Sequence, residues 1–205
     1  MATVVLGALV GYLAGSMPFG YWLVRLGKGV DIRSVGSGNI GATNVWRTYG
    51  KGYGLPVVLL DVAKGFVPAL VFTLVHSHLA GVAAGACAML GHWRPLFLRF
   101  ARGGKMVATA GGAFLGLAPV VGGLAALLWF ALFLLTRYAS VASIAAALAL
   151  APLAAAVGYP WPVIAFGAGA GLGVAFLHRA NIRRLLDGNE NRFQLWRRSP
   201  RVEPL

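Results

Sequence analysis

Charge is scarce in this chain, and acidic charge scarcer still. Only 11% of the 205 residues are charged, and Asp and Glu together number five. A water-soluble domain carries about 25% charged residues, so these are too few to cover a surface exposed to water. The single cysteine, Cys87, excludes a disulfide-stapled secreted fold. No Cys/His cluster has zinc-ligand spacing, no H-E-x-x-H occurs, and there is no G-x-S-x-G elbow. What the chain has in abundance is apolar surface: 59% of residues are hydrophobic and the mean hydropathy is +0.75. That excludes intrinsic disorder and leaves an integral membrane protein. A net charge of +13, from 18 Lys and Arg against the five acids, then calls for an anionic partner: nucleic acid, anionic lipid or an anionic small molecule.

Apolar runs of about 20 residues are long enough to cross a bilayer. Thr3–Val24 holds no charge and forms span one; no Lys or Arg precedes it, so it lacks the basic start of a signal peptide. Leu55–Val75, interrupted by Asp61 and Lys64, is span two, and Leu79–Trp93 is a short span three. Met106–Thr136 has no Asp, Glu, Lys or Arg. As one helix it would reach about 46 Å, so Pro119 and Gly122-Gly123 divide it into spans four and five. Tyr138–Val157 is span six. Pro160–His178 is span seven, continuing as a helix to about Asp187, with Gly188 ending it.

Of the 18 basic residues, 17 fall in four segments: 25–54, 94–105, Arg137, and the tail after His178. With seven spans these segments share one face, which the positive-inside rule makes cytoplasmic. The expected fold is therefore an all-α polytopic membrane helix bundle of seven spans, N-terminus outside and C-terminus cytoplasmic. Residues 1–205 form one domain, with 191–205 a short basic tail. Five spans with two re-entrant or interfacial helices keep the same parity. Positive charge confined to short loops against a membrane makes nucleic acid an unsuitable partner.

Three polar segments on the basic face carry the chemistry. Gly36-Ser37-Gly38-Asn39-Ile40-Gly41-Ala42-Thr43-Asn44 leads to Arg47. Clustered glycines turn backbone N–H groups into a concavity that suits anions, Ser37, Asn39, Thr43 and Asn44 add neutral hydrogen-bonding groups, and Arg47 suits a phosphate. Arg102-Gly103-Gly104-Lys105 opens span four, with Thr109 one turn on. A glycine-rich turn, a lysine and a helix N-terminus suit phosphate as well, although the spacing is not that of a Walker A loop. In the third segment, 178–190, His178 and Asn181 share a helical face where span seven leaves the membrane. Asp61 and Lys64 read as an ion pair within span two. Ser140 and Ser143 begin span six on the same side. None of His76, His78, His92 and His178 has an aspartate five residues on, so the H-x-x-x-x-D pattern of many glycerolipid acyltransferases is absent. A solute transporter would need polar residues at mid-membrane and an outer exit, yet the outer connections hold little beyond His76, Ser77 and His78. A passive scaffold for anionic lipid accounts for the charge but not for Ser37-Gly38-Asn39 or for His178 with Asn181.

Ser37-Gly38-Asn39-Ile40-Gly41-Ala42-Thr43-Asn44, Gly103-Gly104-Lys105-Met106-Val107-Ala108-Thr109 and the run from His178 to Asp187-Gly188-Asn189-Glu190 together closely resemble the PlsY family of bacterial inner-membrane acyl-phosphate:glycerol-3-phosphate acyltransferases. The resemblance runs from span one to Glu190. It implies a seven-span bundle that transfers a fatty acyl group from acyl phosphate to the 1-hydroxyl of glycerol 3-phosphate at the cytoplasmic mouth. The products are lysophosphatidate and phosphate, and the step is the first acylation of phospholipid synthesis. By residue, it implies that Ser37, Lys105, His178 and Asn181 are catalytic. Arg47, Asn39, Thr43, Asn44, Gly103, Gly104, Thr109 and Ser143 would bind substrate, and Glu190 would be structural, pairing an arginine. It implies no metal and no cofactor; the partners are glycerol 3-phosphate, acyl phosphate and membrane lipid. Arg102 and Met106 depart from the usual lysine and smaller aliphatic residue, and the first of these keeps its charge. Whether His178 or a substrate phosphate removes the hydroxyl proton stays open at this level.

Overall fold

The computed structural model describes residues 1–193; residues 194–205, with Arg197, Arg198 and Arg201 of the expected basic tail, lie outside them. The described residues form ten α-helices and two short 3₁₀ turns, with no strand among them. In order these are α1 (Ala2–Gly15), α2 (Phe19–Lys28), α3 (Ala42–Tyr49), α4 (Lys51–Val75), α5 (His78–Trp93), α6 (Val107–Leu117), α7 (Pro119–Thr136), α8 (Ala139–Val157), α9 (Trp161–Leu177) and α10 (Arg179–Leu186). Four segments are long and apolar enough to cross a bilayer: Ala2–Lys28, Lys51–Val75, Pro119–Thr136 and Ala139–Val157. A fifth passes if α9 and α10, bent by 58° at their junction, count as one.

Three local features differ from the plain sequence reading. Span one is broken at Ser16-Met17-Pro18, because Pro18 has no N–H to continue the ladder. Span seven does not run straight on: it bends at His178, and α10 is a separate amphipathic turn that ends at Gly188, whose φ of +68° suits a helix terminus. The division of 106–136 falls at Ala118-Pro119, leaving α6 with 11 residues. At about 1.5 Å per residue that is roughly half the hydrocarbon thickness. α6 is instead a core helix, with Thr109, Ala110, Gly112, Ala113, Phe114, Gly116 and Leu117 all buried.

Small residues let this short helix sit at the centre. A side chain on Gly112 would run into the Val62 carbonyl of α4, and one on Gly65 of α4 would run into the Thr109 carbonyl. Gly11 and Gly15 bring α1 equally close to Ala84 and Ala88 of α5. Such backbone contacts are how helices associate in lipid, where apolar surface alone gives no preference for protein over acyl chain. Beyond them, Phe114 of α6 stacks on Phe166 of α9 at 5.0 Å between centroids. The N-terminus of α6 is thereby fixed beside the loop preceding it, the bend at His178 and the first turn of α8.

Candidate active site

The first loop is built by its own side chains. Gly36 and Gly38 hold φ of +62° and +68°, conformations glycine adopts freely. The Asn44 side chain accepts from the Ser37 N–H at 2.8 Å and donates to the Val35 and Asn39 carbonyls at 3.0 and 2.9 Å. Its amide is fully committed to folding the loop. The Asn39 oxygen accepts from the Gly41 N–H at 2.7 Å, and its amide nitrogen reaches the Gly103 carbonyl at 3.5 Å, joining this loop to the second. The Ser37 and Thr43 hydroxyls have no hydrogen-bond partner among the described residues.

The second loop differs from the nest its glycines suggest. The Gly103 N–H donates to the Trp93 carbonyl at 2.9 Å and the Gly104 N–H to the His92 carbonyl at 3.0 Å. Both amides are spent on the end of α5, so neither faces an anion. The donors that remain are the first-turn amides of α6, which have no side-chain cap, and the Lys105 ammonium. Thr109 is fully buried against α4, with its hydroxyl unpartnered among the described residues.

Lys105 is joined to the third motif. Its Nζ donates to the Asn181 oxygen at 2.5 Å, and the Asn181 nitrogen donates to Glu190 Oε1 at 2.7 Å. Ser140 donates to the same oxygen at 2.9 Å, and Arg184 Nε reaches Glu190 Oε2 at 2.7 Å. Burial raises the Glu190 pKa, but the hydrogen bonds from Asn181, Arg184 and Ser140 outweigh it, so the carboxylate is held below its usual range. Burial lowers Lys105 to about 8 against the pull of Glu190, with Arg184, Arg102 and Arg47 adding to the fall. At the bend, His178 Nδ1 lies 2.8 Å from the Val174 carbonyl. A carbonyl only accepts, so Nδ1 carries the hydrogen and Nε2 the lone pair. Burial, and then the nearby Lys105 charge, lower His178 to about 4, so the ring is neutral at pH 7.

Arg47 lies against a segment beyond the recognised motif. Its Nη2 donates to the Asn191 carbonyl at 2.8 Å, and its guanidinium lies 5.6 Å from the centre of the Phe193 ring. Phe193 is wedged between Trp46 and Phe133, and its N–H donates to the Arg137 carbonyl at 2.7 Å. Arg47 Nε is buried without a partner among the described residues. Ser143 lies apart from this network, accepting from Trp129 Nε1 at 3.0 Å. Sequence reasoning did not find the roles of Ser140, Arg184 and Asn191–Phe193. Arg184 had a signal, since it is six residues from Glu190, across the end of α10; the other contacts join distant segments.

The family model described as glycerol-3-phosphate acyltransferase matches residues 5–188. Among similar proteins is the glycerol-3-phosphate acyltransferase of Desulforudis audaxviator, 48% identical over 93% of this chain and 96% of the relative. That of Aquifex aeolicus is 44% identical over 89% of this chain and 95% of the relative. Two crystal structures of PlsY, an integral membrane glycerol 3-phosphate acyltransferase, share the fold. The glycerol 3-phosphate form has a TM-score of 0.89 at 41% identity, covering 93% of this chain and 96% of that one. The lysophosphatidic acid form has a TM-score of 0.86 at 40% identity, covering 93% and 95%.

Proposed function

The chain belongs to the glycerol-3-phosphate acyltransferase (PlsY) family of integral membrane enzymes, and from that premise we propose that it moves a fatty acyl group from acyl phosphate to the 1-hydroxyl of glycerol 3-phosphate. The hydroxyl oxygen forms a bond to the acyl carbon while the bond from that carbon to the phosphate oxygen breaks. The hydroxyl proton leaves with a phosphate oxygen. The products are lysophosphatidate, which enters phospholipid synthesis, and inorganic phosphate. The relatives crystallised with glycerol 3-phosphate and with lysophosphatidic acid support this acceptor and this product.

The observation that carries the reading is the 2.5 Å hydrogen bond between Lys105 and Asn181, which joins the second and third motifs across 76 residues. An ammonium beside the open amides of α6 suits the phosphate of an activated donor, whose leaving group needs charge stabilisation more than protonation. The buried, unpartnered Nε of Arg47 suits an oxygen of the acceptor phosphate, and the Ser37 hydroxyl of the same motif is free to bind the acceptor too. His178, neutral and weakly basic, accepts the acceptor hydroxyl at Nε2 and orients it; a base with a conjugate acid near 4 removes little of the proton at neutral pH. A phosphate oxygen is then the proton's destination. Asn39 and Asn44 shape the acceptor loop, Gly103 and Gly104 aim Lys105, Glu190 holds Asn181, and Thr109 and Ser143 act from behind the site.

In the membrane, we place seven helical segments across or within the bilayer: α1 with α2, α4, α5, α6, α7, α8 and α9. The N-terminus is outside, and the basic loops and tail lie at the cytoplasmic face of a bacterial inner membrane. Short α5 and α6 reach only part-way. The test is acylation of radiolabelled glycerol 3-phosphate by purified protein given acyl phosphate, acyl-CoA or acyl carrier protein in separate reactions. Lipid-soluble product from acyl phosphate alone is expected; equal product from acyl-CoA refutes the donor, and no product from any donor refutes the reaction.

A further inference from the structure

Three buried polar side chains outside the motifs have no part in the chemistry above. Asp61 and Lys64 of α4 are 2% and 5% exposed, and His92, next to last in α5, is 3% exposed. Ionised groups at membrane depth are expensive and are retained where they pair or serve function. Here Lys64 Nζ lies 2.6 Å from Asp61 Oδ1 and donates to the Met17 carbonyl at 2.9 Å. That carbonyl is free because the helix breaks at Ser16-Met17-Pro18. On the other side of Asp61, His92 Nδ1 stands 3.7 Å from the same carboxylate oxygen. The cluster therefore fastens the α1–α2 break, the middle of α4 and the end of α5 at one point.

Both ligand loops hang from the elements so fastened. The carbonyls of His92 and Trp93 accept the Gly104 and Gly103 amides. The His92 ring fills the space beside Gly104, where an added Cβ would strike Nε2. The turn that ends in Lys105 is thus built on His92 from two sides, backbone and ring. From the α1–α2 break, α2 leads to Gly20, which lies so close to the Ile40 carbonyl that a Cβ would collide with it. Asn39, one residue earlier, is the side chain that reaches the Gly103 carbonyl.

We propose that Asp61, Lys64 and His92 form a buried positioning cluster that sets the Gly103-Gly104 turn, and through it Lys105, in register with the first loop. The cluster touches no substrate, and its effect on rate rests on the function proposed above. The Asp61–Lys64 pair, 2.6 Å apart, lies against the Nδ1 edge of the imidazole while Nε2 faces Gly104, and Lys64 ties the pair to the broken span. An apolar side chain at 92 fills the volume but leaves the ring-to-carboxylate contact unmade, so the turn loosens and the ammonium wanders from Asn181.

His92 is the position to test, because removing Asp61 or Lys64 alone strands a buried charge and threatens folding. His92→Asn presents an amide nitrogen near the place of Nδ1, and His92→Leu does not. In purified enzyme assayed with saturating donor, kcat for His92→Leu is expected to fall at least about tenfold with the KM for glycerol 3-phosphate within about threefold, as for a group acting on the transition state through another. His92→Asn is expected to stay within about threefold of the unaltered protein. In a Lys105→Ala background, His92→Leu is expected to add less than about twofold, since the group it positions is gone. Amide hydrogen exchange at 102–106, which needs no turnover, is expected to speed up in His92→Leu and not in His92→Asn. Should His92→Leu fail to fold, the exchange and kcat of His92→Asn against His92→Gln, which lacks a donor at the Nδ1 place, decide in its stead. Equal exchange in both variants, or a loss that multiplies fully with Lys105→Ala, overturns the cluster. Failure of the unaltered protein to acylate glycerol 3-phosphate overturns the function and leaves the exchange result standing.

Discussion

Removing the Lys105 charge tests the site most directly. The ammonium is half-buried and held 2.5 Å from the Asn181 oxygen, so it is poised and only partly screened. A unit charge at ~4 Å in a medium of effective dielectric constant about 20 is worth about 4 kcal/mol. The leaving phosphate gains most of a unit of charge as the acyl bond breaks, so Lys105→Ala is expected to raise the barrier by about 3 kcal/mol, a loss of roughly 100-fold in rate. The assay is conversion of radiolabelled glycerol 3-phosphate to lipid-soluble product by a variant shown to be folded by its melting profile. The same residue sets a pH limb. With a pKa near 8 in the free protein, Lys105 is charged below pH 8 and neutral above it. As kcat/KM reports groups of the free enzyme, it should be level near pH 7 and fall with rising pH through about 8. Lys105→Arg keeps its charge and should carry no such limb. Near-normal turnover in folded Lys105→Ala, or an unchanged alkaline limb in Lys105→Arg, refutes the role of the ammonium.

His178→Gln keeps a hydrogen-bonding group but cannot take a proton; if His178 orients rather than deprotonates, the loss stays below about 100-fold, and an acid limb at about pH 6, where a phosphate monoester titrates, is kept in the variant because the imidazole titrates near 4. A larger loss with substrate binding unchanged makes His178 the base. Gly104→Ala forces a methyl into the His92 ring and should destabilise by about 1–3 kcal/mol, read as a lower melting temperature together with lost activity; a neutral effect on both would mean the turn is looser than described. Phe193→Ala frees the Arg47 guanidinium from its aromatic face and should raise the KM for glycerol 3-phosphate by about fivefold, the worth of roughly 1 kcal/mol, with the donor KM unchanged.

The helices were legible because length and hydropathy set them. α4, α7 and α8 fall close to the runs Leu55–Val75, the second half of Met106–Thr136 and Tyr138–Val157. Breaks were less legible. Pro119 stood out within 31 uncharged residues, whereas Pro18 sits near the end of an apolar run where a proline in lipid is often tolerated. Nothing in the sequence distinguishes His178 as a bend of 58° from a position within one continuous helix, because Leu177 and Arg179 are both good helix formers. The depth of α6 was likewise hidden: hydropathy reports that a helix avoids water, and does not say whether lipid or protein surrounds it.

At the site, residue types were easier to read than the uses made of them. Closely spaced glycines in both loops suggested the same anion nest, yet the two pairs do different work. Gly36 and Gly38 are needed for left-handed backbone, the conformation that curls a loop around its own Asn44. Gly103 and Gly104 are outside that region; they are needed because the His92 carbonyl and ring leave no room for a Cβ. A glycine in a sequence states that a side chain is forbidden and leaves open whether torsion or a neighbour forbids it. When torsion forbids it, the loop's shape is its own, and here its amides are bonded within the loop, Ser37 N–H to Asn44 and Gly41 N–H to Asn39. When a neighbour forbids it, the shape is borrowed, the amides are bonded to the lender, and the chemistry passes to the next residue along, here Lys105. For that reason the second loop cannot be understood from residues 102–105 alone, and the residues controlling it are on α4 and α5, among side chains that a reading by motif assigns to the membrane.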